Sequence, residues 1–377
     1  MFRGHCHCRR LQKISLKKQA CELAFFLSIA RLKADFDRKN MLVVITALPG
    51  TLEEKDCEAH ETYAKERGID LKFHHIGKDI FQVAKEHQIE VAPDNILDID
   101  HEKLDLCRTI VLERKAQAIA DRQRKNDQRN IDVLRTHANF IWNDVARRPW
   151  YTRDILALKP DVFITVVDDA EKILDRLNQR SQWSRWDFAL KDILNWINME
   201  VNTTDDWANL TGKPFRIIPK TAPPKFLYQI LCKPEAEIVY MSMPLTFAYD
   251  PSTQRKVDDL VKFLEKYFTI IDPRWIDPLA ASKGRDFDRA VYNNVVNRDL
   301  EWFVRQSKRV IAYFPKIVLS SGLVIEVYNA FISTKDTWLI WPKGKTISPF
   351  SKQYAREVFY GLDELKRHVK ENFKEIR

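Results

Sequence analysis

Two carboxylates and a short glycine-containing turn in the last third of the chain could do chemistry. Glu326 ends the segment SSGLVIE, which begins at Ser320, and Asp299 is the second residue of RDLEW. One carboxylate can act as a nucleophile while another gives a proton to the leaving group. Gly322 and the serines before it predict a helix N-terminus, whose N–H and O–H donors suit a phosphate. The simpler alternatives are a first-turn acid for Glu326 and a helix N-cap for Asp299.

The sequence around these residues, 235–377, alternates apolar runs with amphipathic stretches. Alternating strands and helices predict an α/β fold with a parallel, doubly wound sheet, flavodoxin-like or Rossmann-like, whose ligand lies beyond the carboxyl ends of the strands. The first strand is predicted over residues 236–245, so Tyr240 and Ser242 are expected to face that ligand. Residues 354–376 are predicted to close the chain as a helix.

This pair of motifs resembles the nucleoside 2-deoxyribosyltransferase family, and most closely its branch of 2′-deoxynucleoside 5′-monophosphate N-glycosidases. The resemblance implies that Glu326 is the nucleophile and Asp299 an active-site acid. It also implies that Ser320 contacts the 5′-phosphate, because the monophosphate glycosidases have Ser at this position, where the transferases usually have Asp. The resemblance further implies that the chain forms a homodimer. The substrate-binding residues implied in this way are Tyr240, Ser242, Ser320, Ser321 and Gly322, with no metal and no cofactor.

The chemistry of such an enzyme fits two carboxylates. Breaking the bond between a sugar and a base builds positive charge on the sugar, which a carboxylate stabilises or captures as an ester that water later opens. In the family the first strand ends in a Gly/Ser-rich loop, whereas residues 241–245 contain no glycine. The phosphorylation state of the substrate therefore stays open.

The first part of the chain, residues 41–234, predicts a separate domain that opens with a buried strand, a Pro-Gly turn and a helix over residues 52–67. This part resembles nucleotide kinases of the adenylate-kinase type. The resemblance is carried by the opening strand and turn and by Thr136-His137-Ala138, Pro160-Asp161, Asp168-Asp169 and Arg176. It implies a P-loop fold with a parallel sheet.

The phosphate-binding motif of such kinases is missing. A P-loop needs two glycines, a lysine and a hydroxyl residue at fixed spacing, and the matching positions here are Ala47, Leu52, Glu53 and Glu54. We therefore expect a degenerate P-loop that binds a second nucleotide or regulates its neighbour, at Pro49, Gly50, Thr51 and Lys55. The alternatives are an active nucleoside monophosphate kinase and a non-catalytic nucleotide sensor.

Several tryptophans follow in residues 181–207. They could stack on a base, or Trp183, Trp186 and Trp196 could line the packing face of a helix. The spacing favours helix packing.

The excess of positive charge lies at the beginning of the chain. Residues 1–40 hold ten Lys and Arg against three Asp and Glu, out of a formal net charge of +9 for the whole chain. We interpret them as a weakly ordered basic extension, do not expect His5-Cys6-His7-Cys8 to hold a metal alone, and expect no nucleic-acid partner. Scattered cysteines and the lack of a long apolar run predict a cytoplasmic protein that is not embedded in a membrane.

Overall fold

The computed structural model describes residues 40–92, 95–96, 98–125, 129–142, 144–184, 186–244, 251–275, 296–317 and 320–376. The predicted basic extension, including His5 to Cys8, lies outside the described residues apart from Asn40, and so does Leu245 at the end of the predicted first strand of the second part. The described residues belong to one compact unit, Asn40–Arg377.

A five-stranded parallel sheet forms the first part of this unit. Its strand order is β2-β3-β1-β6-β7, and its strands are β1 (Asn40–Ala47), β2 (Asp70–His75), β3 (Asn130–Thr136), β6 (Val162–Val167) and β7 (Phe215–Pro219). A separate antiparallel hairpin follows β3 and consists of β4 (Phe140–Trp142) and β5 (Val145–Arg147). The central strands β1 and β6 are buried along almost their whole length, as expected for strands covered on both faces.

The helices that the described residues form around the first sheet are α1 (Glu54–Lys65), α2 (Gly77–Glu86), α3 (His101–Lys125), α4 (Thr152–Ala157), α5 (Ala170–Asn178), α6 (Leu190–Thr211) and α7 (Pro224–Cys232). An aspartate caps the helix after β6. Asp169 is the N-cap of α5, and its side chain accepts a hydrogen bond from the Lys172 amide at 3.1 Å. Asp168 instead accepts from Arg176 on the same helix.

A second five-stranded parallel sheet has the order β12-β11-β10-β8-β9. Its strands are β8 (Ile238–Ser242), β9 (Thr269–Ile271), β10 (Arg309–Tyr313), β11 (Asp336–Trp341) and β12 (Glu357–Tyr360). The helices described in this part are α8 (Pro251–Leu264), α9 (Ser321–Ile332), α10 (Pro349–Tyr354) and α11 (Leu362–Asn372), together with a π-helical segment (Asp299–Val304).

Alternation along the strands sends neighbouring side chains to opposite faces of this sheet. Met241 and Ile311 pack in the cluster that includes residues of α8 and α11, whereas Ala312 and Leu339 pack with Leu323 of α9. Helices therefore cover both faces. The α/β class with parallel sheets is confirmed, and the predicted boundary between residues 234 and 235 falls between the two sheets.

The prediction of one closing helix over residues 354–376 is wrong. α10 ends at Tyr354, and the edge strand β12 follows before α11 begins at Leu362. The Val-Phe-Tyr run of β12 favours an extended backbone, and Gly361, with φ of +109°, provides a turn that other residues rarely adopt. Among the described residues, no helix is long and apolar enough to cross a membrane.

Candidate active site

Glu326 lies on α9, the helix that follows β10. Ser320 is the N-cap of this helix, and its hydroxyl accepts from the Leu323 amide at 3.5 Å. Ser321 and Gly322 form the exposed first turn. Glu326 is in the second turn, so the interpretation as a first-turn acid stabilised by the helix dipole does not describe it.

Two hydroxyl groups from β8 hold the Glu326 carboxylate. The Tyr240 hydroxyl donates to Oε1 at 3.0 Å, and the Ser242 hydroxyl donates to Oε2. Both donors are fully buried, and they lie two residues apart on β8, so they project from the same face of the strand. Each oxygen of the carboxylate thus has a hydroxyl partner on β8.

The position of this cluster in the sheet is one where parallel α/β proteins bind ligands. After β8 the chain forms β9 on one side and then crosses to form β10 on the other side. Ser242 pairs with Ala312 in register near the carboxyl ends of these two strands. Strand order reverses between β8 and β10, and ligands of open parallel sheets bind beyond the carboxyl ends at such a switch point.

Asp299 begins the π-helical segment, which packs against α9. Its carboxylate is partly buried and lies 3.7 Å from Nε of the buried Arg298. The N-cap interpretation does not describe the position of Asp299, because residues 296–298 before it are already helical. Single π-helical turns are frequent at functional sites, since the extra residue changes where side chains point.

The structure places the hydroxyls of Tyr240 and Ser242 against the Glu326 carboxylate. Their expected contact with a ligand stays a prediction. Ser320, Ser321 and Gly322 lie at the N-terminus of α9, where backbone N–H groups lack helical partners.

The loop after β1 is a tight turn. The Thr51 amide donates to the Leu48 carbonyl at 3.0 Å, and Gly50 has φ of +78°. Thr51 is fully buried and Leu52 nearly so. A Cβ on Gly50 would lie 3.4 Å from the Arg180 guanidinium, so this side chain is close to the turn.

The charged residues at this turn pair with one another. Lys55 lies 3.1 Å from Glu53 and is largely exposed, and Arg180 lies 3.6 Å from Glu53 on the other oxygen. The hydrogen bond from Lys55 keeps the pKa of Glu53 below its usual value. Glu54 pairs with Lys78 of α2. Each of these two carboxylates is thus paired with a lysine.

Glu200 is a buried carboxyl group that sequence reasoning missed. It projects from α6 and accepts hydrogen bonds from the Ala138 amide at 2.6 Å and the Asn139 amide at 2.8 Å. Burial raises the pKa of Glu200 to about 8, although backbone donors, including that of Ala47, act to lower it. Glu200 thus ties α6 to the loops that follow β1 and β3. The available signal was a charged residue on the apolar face of α6, one turn after Trp196.

His137 makes a second contact between the same loops. Its Nδ1 lies within hydrogen-bonding distance of the Ala47 carbonyl, and burial lowers the pKa of His137 to about 4. The ring is therefore neutral near neutral pH, and because a carbonyl can only accept, Nδ1 carries the proton.

The tryptophans pack in the core. Trp183 lies 5.7 Å from Trp142 and 5.3 Å from Trp196 between ring centroids, and both Trp183 and Trp196 are almost fully buried. The packing interpretation is confirmed, but the helical spacing is wrong for Trp183 and Trp186. These two precede α6, because Asp192 accepts from the Ala189 amide at 2.9 Å and fixes the start of that helix after them.

Among the described residues, no group of three or more His, Cys, Asp or Glu side chains is placed to hold a metal ion. No protein-family model matches the sequence, and no curated protein is similar enough to be identified as a relative.

Proposed function

We propose that the chain is an N-glycosidase that releases the base from a (deoxy)nucleoside 5′-monophosphate. The observation that carries this proposal is the Glu326 carboxylate, held through both oxygens by Tyr240 and Ser242 near a switch point of a parallel sheet. A fixed carboxylate at a ligand-binding edge suits attack on an electrophilic sugar carbon.

In the proposed reaction Glu326 is the nucleophile, and Asp299 acts first as an acid and then as a base. Glu326 attacks the anomeric carbon, the bond from this carbon to the base nitrogen breaks, and its electron pair stays with the base. Asp299 in its acid form protonates the leaving base. Water then opens the glycosyl ester, with Asp299 accepting its proton, so that the products are free base and sugar 5-phosphate. The exposed N-terminus of α9 at Ser320 and Gly322 offers N–H donors for the phosphate.

The strand order supports the fold that this function needs. Counted along the chain within the second sheet, the order is 2-1-3-4-5, which is the order of flavodoxin-like doubly wound proteins. We assign residues 235–377 to this class and residues 41–234 to a P-loop-like domain that binds a nucleotide or regulates its neighbour without transferring phosphate. The pairing of Glu53 with Lys55 supports the absence of transfer, because a P-loop lysine must be available for phosphate oxygens.

The apolar outer surface of α9 supports a homodimer. Its exposed large side chains are Val324, Ile325, Tyr328, Phe331 and Ile332. A contiguous apolar surface of this kind next to a candidate site is typical of an interface, and a second copy of the chain is the occupant we propose.

The test is incubation of the full chain with a panel of nucleosides and nucleoside 5′-monophosphates, followed by chromatography for free base. We expect the wild type and Glu371→Gln, a control at an exposed site on α11, to release base from at least one monophosphate, and Glu326→Ala to release none. Equal background release by wild type and Glu326→Ala would refute the proposal. Addition of ATP tests the kinase alternative, which requires formation of a nucleoside diphosphate.

A further inference from the structure

A polar cleft lies between the two sheets, apart from Glu326. Its volume is about 580 Å³, within the range of small-molecule sites. One wall is formed by α6 and β7, and the other by residues 297–306. Polar and aromatic side chains on these walls include Asn202, Asp205, Arg216, Arg298, Glu301, Trp302, Arg305 and Gln306.

The two walls are fixed to each other. Gln306 accepts from the Ile217 amide at 3.1 Å and donates to the Ile217 carbonyl at 2.9 Å, so its side-chain amide pairs with the edge strand β7 as another strand would. Next to the cleft, the Lys335 ammonium group donates to the Arg305 carbonyl at 2.7 Å. The cleft therefore exists before any ligand binds, which lowers the ordering cost of binding.

Positive charge gathers in this cleft. Arg216 is partly buried, and burial lowers the pKa of its guanidinium. Arg305 and Arg216 lie close enough to Lys335 to lower the pKa of Lys335, after the larger effect of its burial. Like charges in a partly desolvated site repel each other unless an anion compensates them.

The acidic residues of the cleft do not pair with Arg216. Glu301 lies 3.8 Å from Arg305, and Asp205 is part of the α6 wall. Within the described part of the chain, Arg216 forms no ion pair with a carboxylate, and its guanidinium donates to the adjacent Phe215 carbonyl at 2.8 Å. Among the described residues of the cleft and its charged neighbours Lys335 and Asp299, three arginines and one lysine face three acids, so the cations exceed the carboxylates by one.

We propose that this cleft binds a phosphorylated small molecule of nucleotide size, with Arg216 as a main partner of the phosphate. A guanidinium can donate two parallel hydrogen bonds to phosphate oxygens, and the anion offsets the charge of Arg216, which no carboxylate of the described residues compensates. Asn202 supplies an amide for sugar hydroxyls, and Trp302 supplies an aromatic face for a ring.

This site is separate from the glycosidase site. The residues at 298, 301, 302, 305 and 306 share the face of their helical segment that lines the cleft, and Asp299 is not among the described residues that line it. The proposal does not depend on the role of Glu326.

The test is calorimetric titration of the full chain with inorganic phosphate, adenosine 5′-monophosphate and adenosine at constant ionic strength, which keeps screening equal. All proteins carry Glu326→Ala, so that no probe is consumed. Arg216→Gln is compared with Arg153→Gln, a control at a largely exposed arginine that contacts its neighbours Asp154 and Tyr151. Thermal melts establish that each variant is folded. Arg216→Lys serves as a second variant, which keeps the positive charge but lacks the paired N–H donors of the guanidinium.

We expect Arg216→Gln to weaken binding of phosphate and of the monophosphate by at least about tenfold, with Arg216→Lys intermediate and Arg153→Gln unchanged. If the monophosphate also occupies the glycosidase site, Arg216→Gln removes one of two binding events. Equal affinities in Arg216→Gln and its parent, no binding of either phosphate probe, or adenosine binding as tightly as its monophosphate would each overturn the proposal. A chain without glycosidase activity would still show the Arg216 effect.

Discussion

Replacing Glu200 by glutamine tests whether this buried side chain holds a proton in the folded protein. The pKa of Glu200 rises from 4.5 to about 8 on folding because of burial. Between pH 4.5 and about pH 8, the folded state therefore keeps a proton on Glu200 that the unfolded state has released. Stability from this group is complete below the unfolded pKa and is lost as the pH rises through the folded pKa.

The magnitude follows from linkage. Each pH unit in this window changes the free energy of unfolding by about 1.4 kcal/mol. From about pH 6.5 to 8 the wild type should lose roughly 2 kcal/mol from Glu200, and the Glu200→Gln variant should lose none of it. The lower part of the window is avoided, because His60 and His137 have a lowered pKa of about 4 and add stability as the pH rises toward their unfolded value of 6.5.

The assay is urea unfolding followed by tryptophan fluorescence at several values between about pH 6.5 and 9. The Glu200→Gln variant should be less stable at the lower end, because the NH₂ group of the new side chain cannot accept from the second of the Ala138 and Asn139 amides. The difference between wild type and variant should shrink as the pH rises. Glu58→Gln, on the exposed face of α1, should keep the wild-type slope. A pH-independent difference between wild type and Glu200→Gln would show that the backbone donors outweigh burial and that Glu200 is ionised.

Two further substitutions test the positioning of Glu326 and the backbone before α11. Tyr240→Phe removes the hydroxyl at 3.0 Å from Glu326, and we expect kcat for base release to fall about tenfold to a hundredfold with little change in KM, measured by steady-state chromatography; an unchanged kcat would contradict the positioning role. Gly361→Ala places a Cβ at φ of +109° and should lower the free energy of unfolding by about 1–3 kcal/mol in urea unfolding. Gly77→Ala, at the start of α2, should not lower it, because Gly77 has no positive φ and a Cβ there would meet no atom within 4 Å. Equal effects of the two substitutions would refute the strain argument.

Much of the fold followed from local patterns. The apolar runs at β1 and β8 were predicted correctly as strands, because strands buried on both faces carry continuous apolar sequence. The edge strand β12 was missed, because Glu357–Tyr360 is short and lies between helical sequences. Its extended state depends on pairing with β11, which local propensity does not describe.

The candidate site was predictable in part. The helix N-terminus at Ser320 and the same-face position of Tyr240 and Ser242 follow from spacing alone. The hydrogen bonds from these hydroxyls to Glu326 join residues more than eighty positions apart, so they depend on how α9 packs against the sheet. Glu200 and Arg216 were missed for the same reason. The amide that donates to Glu200 comes from a distant element. Whether a carboxylate among the described residues reaches Arg216 also depends on how distant elements pack, and local sequence does not show it.

The most direct test of the central claim is mass spectrometry of the peptide that contains Glu326 after rapid acid quench during turnover of a nucleotide from the panel. The mechanism predicts a transient mass increase equal to one sugar phosphate less one water on this peptide in the wild type. Asp299→Asn should slow both the formation and the hydrolysis of this adduct, because Asp299 acts in both steps. The mechanism also predicts that Glu326→Gln forms neither the adduct nor free base. Release of base by Glu326→Gln at the wild-type rate, with no adduct on either protein, would contradict the assignment of Glu326 as the nucleophile.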